Sequence, residues 1–388
     1  MTAPTSSPPE AGPATPAGPA SSGVGRLLAA VVAFHLVTRL LTLSALRAAS
    51  ARDGRGLPAT IVRWDGRWYS RIAEHGYPAV LPTVDGRVVT NPAGFFPLFP
   101  LSLRPLIAAG LPAWSAAMIA AMVFSTAAAV VIALLVKTWT SARVGLLTAC
   151  CWSVFPTASV LSVAYAEGLF TLCAAGSLLL LFRRAWLGAG VAAALAGLTR
   201  PTGVVVVAAV AAAVASALLR DKDRRSVVAL LVAPLGTLGA LGWIGLSTSR
   251  LDAWSVTERE GWGVRFDGGA TFGRWLVGAL THTGEPLQSV YAVAVLASVG
   301  LVGLAAAGRP PLPVLVYLVL GAVLALGQGG NFYLSPMRFL LPVFPLVVPV
   351  AVLLAGRART AVVAALGGAA LASAFVGVYY FTLSSGAP

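Results

Sequence analysis

Residues 113–136 read AWSAAMIAAMVFSTAAAVVIALLV and carry no charged side chain. At about 1.5 Å per residue, a helix of this length rises about 36 Å, which exceeds the hydrocarbon core of a bilayer. Similar stretches recur along the chain, which is 58% hydrophobic, only 10% charged, and has a mean hydropathy of +0.85. Soluble domains carry about 25% charged residues. The sequence therefore predicts an integral membrane protein made of helices.

Eleven stretches have the length and composition of membrane-spanning helices. They are residues 24–48, 113–136, 142–160, 163–182, 186–199, 203–219, 226–248, 287–307, 311–327, 338–355 and 360–382. Only Arg200-Pro201-Thr202 separates 186–199 from 203–219, so one long broken helix is an alternative for this pair. The predicted fold class is all-α, a polytopic membrane bundle of about 11 transmembrane helices.

The first 23 residues differ from the rest, because Pro, Ala, Ser, Thr and Gly dominate them and Glu10 is their only charge. Such a segment buries too little apolar surface to fold. We predict a disordered cytoplasmic tail at residues 1–23 and a single transmembrane domain at residues 24–388.

The distribution of charge predicts the orientation in the membrane, because positive residues concentrate in cytoplasmic loops. With the N-terminus inside, the short inner loops hold the basic residues at 137–143, 183–184, 220–225, 309 and 357–359. Of the 13 acidic residues, Glu10, Asp221 and Asp223 then fall inside, which leaves ten on or near the outer side. Two long segments, 49–112 and 249–286, become outer loops. The net charge of +14 is accordingly assigned to topology and to contacts with anionic lipid or phosphate, not to nucleic acid.

The most polar part of the chain is the run from residue 63 to residue 78, RWDGRWYSRIAEHGYP, in the first outer loop. It predicts a short helix over residues 66–75 with Asp65 as its N-cap and a stop at Gly76-Tyr77-Pro78. Residues four apart share a helix face, which gives one apolar stripe and one basic stripe. The apolar stripe is Trp64, Trp68 and Ile72, and the basic stripe is Arg63, Arg67, Arg71 and His75. We predict an amphipathic interfacial helix, which either only anchors the loop or carries a functional site.

Five segments in order, across about residues 24–355, resemble the PIG-V-like mannosyltransferases of the GT-C superfamily of membrane glycosyltransferases. The first is Trp64-Asp65 with Trp68-Tyr69 and the following Ile72-Ala73 and Gly76-Tyr77. The others are Phe95-Phe96-Pro97-Leu98-Phe99-Pro100-Leu101, Phe155-Pro156 with Tyr165-Ala166-Glu167, Leu198-Thr199-Arg200-Pro201-Thr202-Gly203, and Arg338-Phe339-Leu340-Leu341-Pro342-Val343-Phe344-Pro345.

The resemblance implies a GT-C-like bundle that transfers mannose from polyprenyl-phosphate-mannose to a glycolipid or glycan hydroxyl at the outer face of the plasma membrane. It also implies that an acidic residue in the first outer loop is the key group, and Asp65 matches that residue by position. The chain is short for a GT-C enzyme, which favours a small glycolipid as acceptor. The need for a divalent cation is left open.

The chemistry of inverting glycosyl transfer agrees with this assignment. A base must take the proton of the acceptor hydroxyl, and cations must stabilise the departing phosphate. We predict Asp65 as that base or as an orienting carboxylate, and Arg338 as the contact to the donor phosphate. Further predicted substrate contacts are Arg63, Arg71 and Arg200, with Trp64, Trp68 and Tyr69 seating the loop and the sugar.

Two charged residues lie inside predicted spans, where an ionised group needs a partner. Glu167 is predicted to bind the acceptor or orient an arginine, the alternative being a paired carboxylate near water. Arg39 is predicted to contact Asp65, Glu167 or the lipid phosphate, or otherwise backbone carbonyls.

The second outer loop is harder to interpret. Glu258, Glu260 and Asp267 flank Gly261-Trp262-Gly263. They fit an acceptor pocket in which Trp262 stacks on a sugar, but we favour a solvated face. The three histidines are scattered, so a histidine-based metal site is not expected.

Three alternatives remain at the level of sequence. One is a transporter or lipid flippase, which the clustering of acids at the outer edge and the lack of an internal repeat disfavour. The second is a GT-C enzyme that uses a different polyprenyl-phosphate sugar. The third is a membrane scaffold without catalytic activity.

Overall fold

The computed structural model describes residues 20–281, 286–330, 335–384 and 386, and the chain is almost entirely helical. Most of the predicted tail at 1–23 lies outside the described residues. The helices are α1 Ala20–Arg52, α2 Gly56–Ile61, α3 Asp65–His75, α4 Leu98–Ala108, α5 Ala113–Lys137, α6 Ala142–Ser153, α7 Glu167–Phe182, α8 Trp186–Thr199, α9 Gly203–Arg220, α10 Val227–Val232, α11 Leu235–Ser247, α12 Ala253–Val256, α13 Ala270–Thr281, α14 Pro286–Ala307, α15 Leu312–Leu326, α16 Pro336–Leu340, α17 Val348–Ala355 and α18 Arg359–Val378. The strands are β1 Thr83–Val84, β2 Arg87–Val88, β3 Val264–Phe266 and β4 Gln328–Gly330.

Several of these helices are long and apolar enough to cross a membrane, and the chain is a multi-pass membrane protein. Judged by length and composition, six of the described helical segments qualify: Val24–Arg52, Ala113–Lys137, Gly203–Arg220, Arg224–Ser247, Gln288–Ala307 and Arg359–Leu383. Five shorter apolar helical segments accompany them: Leu98–Ala108, Glu167–Phe182, Trp186–Thr199, Leu312–Leu326 and Phe344–Ala355. The all-α class is thus confirmed, whereas the number of 11 spans stays a prediction.

The pair predicted at 186–199 and 203–219 forms two helices that fold back on each other. α8 ends at Thr199 and α9 begins at Gly203. A methyl group added at Gly203 would meet the Cα of Gly197 at 2.4 Å. Only glycine permits this close approach of the two backbones, so the alternative of one broken helix is wrong.

Prolines interrupt two of the predicted spans. The stretch 142–160 is not one helix, because α6 ends at Ser153 and a 3₁₀ turn follows at Ala158–Ser162. Pro156 lies in the gap and has no backbone N–H to continue the helix. The stretch 338–355 likewise divides, past Pro342, into α16, a 3₁₀ turn at Phe344–Val347 and α17. Such breaks free backbone carbonyls that need donors inside the membrane.

Arg39 supplies those donors, which corrects the ionic partner predicted for it. Its guanidinium is 1% exposed and donates to the carbonyls of Ser153 and Ala158, on either side of the break after α6. Next to it, the ring of His35 lies between the hydroxyls of Ser125 and Ser153, at 3.0 and 2.8 Å. Of the partners considered from sequence, backbone carbonyls are the ones observed, and Arg39 does not contact Asp65 or Glu167.

The two predicted outer loops pack against each other. The backbone N–H of Val88, in the β1–β2 hairpin, donates to Glu260 Oε2 at 3.1 Å, and Asn91 Nδ2 donates to the Thr257 hydroxyl at 3.1 Å. Residues Thr257–Gly261 form a π-helical turn, and β3 after it pairs antiparallel with β4. The two short antiparallel sheets, β1–β2 and β3–β4, were not predicted, because strands of two or three residues are too short to show periodicity.

The predicted inner loops also contact each other. Arg184 Nη2 donates to Asp221 Oδ2 at 2.5 Å, the indole N–H of Trp186 donates to Asp223 at 2.9 Å, and Arg143 donates to the carbonyl of Arg357 at 2.9 Å. The two sets of loops therefore assemble separately, as the predicted topology requires.

The orientation itself can be tested by cysteine labelling. Ser255 is exposed in the second predicted outer loop, and Ala142 is exposed beside an inner loop. We expect Ser255→Cys to react with a membrane-impermeant maleimide on intact cells and Ala142→Cys to react only after permeabilisation. The background should be low, since the native Cys150, Cys151 and Cys173 are free but buried. The reverse pattern would place the N-terminus outside.

Candidate active site

The first element of the site is the turn that leads into α3. Asp65 is the first residue of that helix and makes no capping hydrogen bond. The cap position is held by Trp64, with φ of 58° and ψ of −118°, a strained conformation for a residue with a side chain. The predicted N-cap role of Asp65 is wrong, because its carboxylate is drawn to Arg338 instead.

Hydrogen bonds to the end of α18 hold this strained turn in place. The indole N–H of Trp64 donates to the carbonyl of Tyr380 at 3.1 Å, and Arg63 Nη2 donates to the carbonyl of Ser384 at 2.7 Å. These carbonyls belong to or follow the π-helical turn Tyr379–Leu383, where carbonyls lack intrahelical partners. Trp64 and Arg63 therefore position the Asp65 backbone, and neither lines the cavity described below.

α3 itself has the predicted two-sided character. Trp68, Tyr69 and Ile72 are buried, whereas Arg67 and Arg71 are exposed. The apolar side packs against protein: the Tyr69 ring contacts Phe95 and Phe99 edge-on, at 5.1 Å from each. Burial raises the pKa of Tyr69, so its hydroxyl remains a hydrogen-bond donor.

Four charged side chains from four distant segments meet beside α3. Arg338 of α16 donates to Asp65 Oδ2 and lies 3.6 Å from Glu167 Oε1, while Arg200, which follows α8, pairs with Glu167. Glu167 and Arg338 are 0% and 2% exposed. Asp65 and Glu167 each begin a helix, where the positive end of the helix dipole favours a carboxylate. We call these four residues the ionic quartet, and its formal charges balance.

Aromatic rings surround the guanidinium of Arg338. Its central carbon lies 5.4 Å from the centre of the Tyr165 ring and 4.8 Å from that of Phe339. Cation–π contacts of this kind stabilise a buried guanidinium. The conformation of Arg338 is thereby restrained by two aromatic rings as well as by its two carboxylates.

Three of the four quartet residues line a cavity of about 390 Å³. Asp65, Arg200 and Arg338 line it from one side, and the second outer loop lines it from the other. Seven aromatic residues contribute to its apolar surface. They are Tyr69, Phe95 and Phe96 of the first outer loop, Trp254, Trp262 and Phe266 of the second outer loop, and Phe339 of α16. Trp262 contacts Trp68 and Phe95 edge-on, at 5.6 and 5.5 Å. A cavity that combines aromatic rings with carboxylates and guanidiniums suits a sugar and an anion together.

The second outer loop contributes three charged residues that the sequence did not assign to a site. Glu258, Arg259 and Arg265 all line the cavity. The solvated face that we favoured is therefore wrong for Glu258. The other two acids have structural contacts, since Glu260 binds the Val88 N–H and Asp267 accepts backbone hydrogen bonds at the start of α13.

Gly94 shows how closely the two loops approach at this point. A methyl group at Gly94 would lie 2.8 Å from both Glu258 Oε1 and Trp262 Nε1. A side chain at this position would therefore have to displace the Glu258 carboxylate and the Trp262 indole. The side chain of Glu258 is partly exposed only because it faces the cavity. Burial raises the pKa of its carboxyl to about 8, and the negative charge of Asp65 adds to the rise.

The structure gathers part of the predicted site. Asp65, Tyr69, Arg200 and Arg338 line the cavity, Glu167 lies behind the two arginines, and Trp68 supports the aromatic wall. Arg71 is exposed on α3, and Arg63, Trp64 and Arg39 bind backbone carbonyls elsewhere. Among the described residues, no group of three or more His, Cys, Asp or Glu side chains is placed to hold a metal ion.

Comparison with known proteins shows the fold. No family model matches the chain, and no curated protein matches it in sequence. Among solved structures, it is similar to ArnT from Cupriavidus metallidurans bound to undecaprenyl phosphate, with a TM-score of 0.51 and 15% identity over 90% of this chain. It is also similar to the Archaeoglobus fulgidus oligosaccharyltransferase tethered to an acceptor peptide, with a TM-score of 0.50 and 14% identity over 92% of this chain.

This chain shares the fold of these two proteins, which is the predicted GT-C-like fold. It spans only 62% of the ArnT chain and 56% of the oligosaccharyltransferase chain. The similarity concerns the fold alone, and it does not test the PIG-V-like relationship noted in the sequence.

Proposed function

We propose that this protein is a glycosyltransferase that moves a sugar from a polyprenyl-phosphate donor to an acceptor hydroxyl, with inversion at the anomeric carbon. The observation that supports this most strongly is the cavity, in which carboxylates, guanidiniums and aromatic rings from both outer loops converge. Inverting transfer needs those groups: a carboxylate beside the acceptor, cations beside the leaving phosphate, and apolar surface against the sugar.

The phosphate is assigned to Arg259 and Arg265. Both are exposed in the cavity, and within the described residues neither guanidinium has a hydrogen bond or an ion pair. Arg338 and Arg200, in contrast, are already neutralised by Asp65 and Glu167. An incoming phosphate gains most from guanidiniums that have no competing carboxylate. Arg338, which we predicted as the phosphate contact, is better suited to fix the position of Asp65.

Asp65 is assigned the orienting role, which the sequence left open beside the role of base. Its carboxylate is held rigidly by Arg338 and lies at the cavity wall. There its negative charge can align the acceptor hydroxyl and stabilise the positive charge that develops on the sugar as the bond to phosphate breaks.

The finer identity of the reaction follows the resemblance in the sequence. We propose mannose as the sugar, a PIG-V-like relationship, a glycolipid as the acceptor, and the outer face of the plasma membrane as the location. Another polyprenyl-phosphate sugar would use the same cavity chemistry.

The proposal is tested by sugar transfer in membranes that contain the protein. Radiolabelled polyprenyl-phosphate-mannose is supplied first, followed by polyprenyl-phosphate donors carrying other sugars, and label is followed into the lipid and protein fractions. Transfer only from a donor with a different sugar would show that mannose is wrong, while the proposed class of enzyme, a glycosyltransferase, would stand. If folded protein transfers no label from any donor, the proposed activity is wrong and a transporter becomes the better hypothesis.

A second prediction concerns the two cavity arginines. We expect Arg259→Gln and Arg265→Gln each to raise the KM for the donor by about 10- to 100-fold, because a charge-assisted hydrogen bond to phosphate contributes about 1.5–3 kcal/mol. Arg87→Gln is the matched control, since Arg87 is exposed in the first outer loop and does not line the cavity. Steady-state kinetics with varied donor measure the effect. An unchanged KM in both variants would contradict this assignment and would favour Arg338 and Arg200 as the residues that bind the phosphate.

A further inference from the structure

We propose that Glu258 is the general base that takes the proton of the acceptor hydroxyl, while Asp65 orients that hydroxyl. This inference rests on the proposed glycosyl transfer. From the sequence, Asp65 was the candidate for both roles, that of the base and that of the orienting carboxylate. We now assign the role of base to Glu258 and keep the orienting role for Asp65.

The argument begins with the partners of the two carboxylates that line the cavity. Asp65 Oδ2 already accepts a hydrogen bond from Arg338, so a substrate proton would have to compete with a guanidinium. The carboxylate of Glu258, within the part of the chain that the structure describes, forms no hydrogen bond or ion pair, although it lies in the cavity wall. A carboxylate without an ionic partner is the better proton acceptor of the two.

The surroundings of Glu258 hold it in place without neutralising it. The turn that carries it is tied to the first outer loop through Thr257 and Glu260. A methyl group at Gly261 would meet the carbonyl of Val89 at 2.8 Å, which shows how tightly the two backbones pack. On the other side, Gly94 leaves just enough room for the carboxylate. These contacts hold the backbone of the turn that carries the carboxylate, which a catalytic base requires.

The charges around Glu258 come from every element packed against its turn. Across the cavity is Asp65, on the same turn are Arg259 and Glu260, on β3 is Arg265, and on β2 is Arg87. Of these, only Asp65 perturbs the carboxyl noticeably, and it does so in the same direction as burial: both raise the pKa, to about 8. A base that titrates near the operating pH accepts a proton efficiently.

The proposed step is balanced as follows. The acceptor oxygen attacks the anomeric carbon, and its proton passes to the ionised carboxylate of Glu258. The bond between the anomeric carbon and the phosphate oxygen breaks, and its electron pair leaves with the polyprenyl phosphate. Glu258 then releases the proton to water through the open side of the cavity.

The test is the pH dependence of kcat/KM for the acceptor, measured from about pH 6 to about pH 10. Only the ionised form of Glu258 accepts a proton, so the wild-type rate should rise about tenfold per pH unit and level off near the pKa of about 8. The phosphodiester donor does not titrate in this range. In Glu258→Gln we expect a rate about 100-fold lower on the plateau and independent of pH.

Two further variants make the result specific. Glu260→Gln is the matched control, because Glu260 lies on the same turn but outside the cavity and the amide oxygen of Gln can still accept the hydrogen bond from Val88 N–H. This variant should keep the rise with pH. Gly94→Ala retains the side chains of Asp65 and Glu258, but the added methyl group crowds Glu258 and Trp262. Because this displaces the carboxylate, kcat should fall about tenfold while the protein remains folded.

The possible outcomes separate this inference from the proposed function. If the wild type transfers sugar and Glu258→Gln retains the rise with pH, Glu258 is not the base and only this inference fails. If the wild-type rate falls with rising pH, the carboxyl acts as an acid, which also overturns it. If the folded wild type transfers no sugar from any donor, the proposed function fails and this inference falls with it.

Discussion

Asp65→Asn is expected to lower kcat for sugar transfer by about 1,000-fold while the protein remains folded. The amide keeps the size of the side chain and can still accept a hydrogen bond from Arg338, but it removes the negative charge at the cavity wall. Loss of one preorganised electrostatic contact in an active site costs about 100- to 1,000-fold. Label transfer from a polyprenyl-phosphate sugar, with size-exclusion chromatography for folding, measures both quantities.

The same variant makes a second prediction, about pH. The negative charge of Asp65 helps to raise the pKa of Glu258, so removing that charge lowers the pKa. The residual activity of Asp65→Asn should therefore level off at a lower pH than that of the wild type. A residual profile with an unchanged midpoint would mean that the two carboxylates do not interact, and a variant with full activity would remove Asp65 from the mechanism.

Much of the architecture could be predicted from the sequence because a membrane imposes strong constraints. Apolar stretches such as 113–136 had to be helices, and the helix beginning at Asp65 followed from the spacing of its apolar and basic residues. Several of the segments around the cavity are those that resemble the PIG-V-like family in sequence. Their charged residues Asp65, Glu167, Arg200 and Arg338 contact each other in the structure.

What could not be predicted was which groups pair with which. The ion pair between Arg338 and Asp65 is stronger than the local preference of an aspartate for capping the helix. Arg39 binds the carbonyls freed near Pro156 and therefore does not reach the cavity. Glu258 was misassigned because its burial arises from packing between two loops that are far apart in sequence. The glycines and tryptophans around it, such as Gly94, Trp254 and Trp262, were the available signal for a close approach.

Arg338→Gln is expected to cause the largest loss of stability, about 3–5 kcal/mol. Arg338 is shared by Asp65 and Glu167, and Glu167 is fully buried. Removing the guanidinium leaves Glu167 with Arg200, but it leaves Asp65, which is only 14% exposed, without an ionic partner. Thermal unfolding in detergent measures the loss. Arg71→Gln is the control, since Arg71 is exposed on α3, the helix that begins with Asp65, and it should change stability by less than about 0.5 kcal/mol.

A double variant distinguishes the structural role of Arg338 from binding of the donor phosphate. Asp65→Asn with Arg338→Gln restores the balance of charge, since Glu167 keeps Arg200 as its partner. We expect this protein to be more stable than Arg338→Gln alone, although inactive, because the uncompensated carboxylate is gone. If Arg338 served mainly to bind phosphate, Arg338→Gln would instead raise the KM for the donor at nearly unchanged stability, and the second substitution would recover nothing. The sign of the coupling between the two substitutions therefore decides whether Arg338 acts on the substrate or on Asp65.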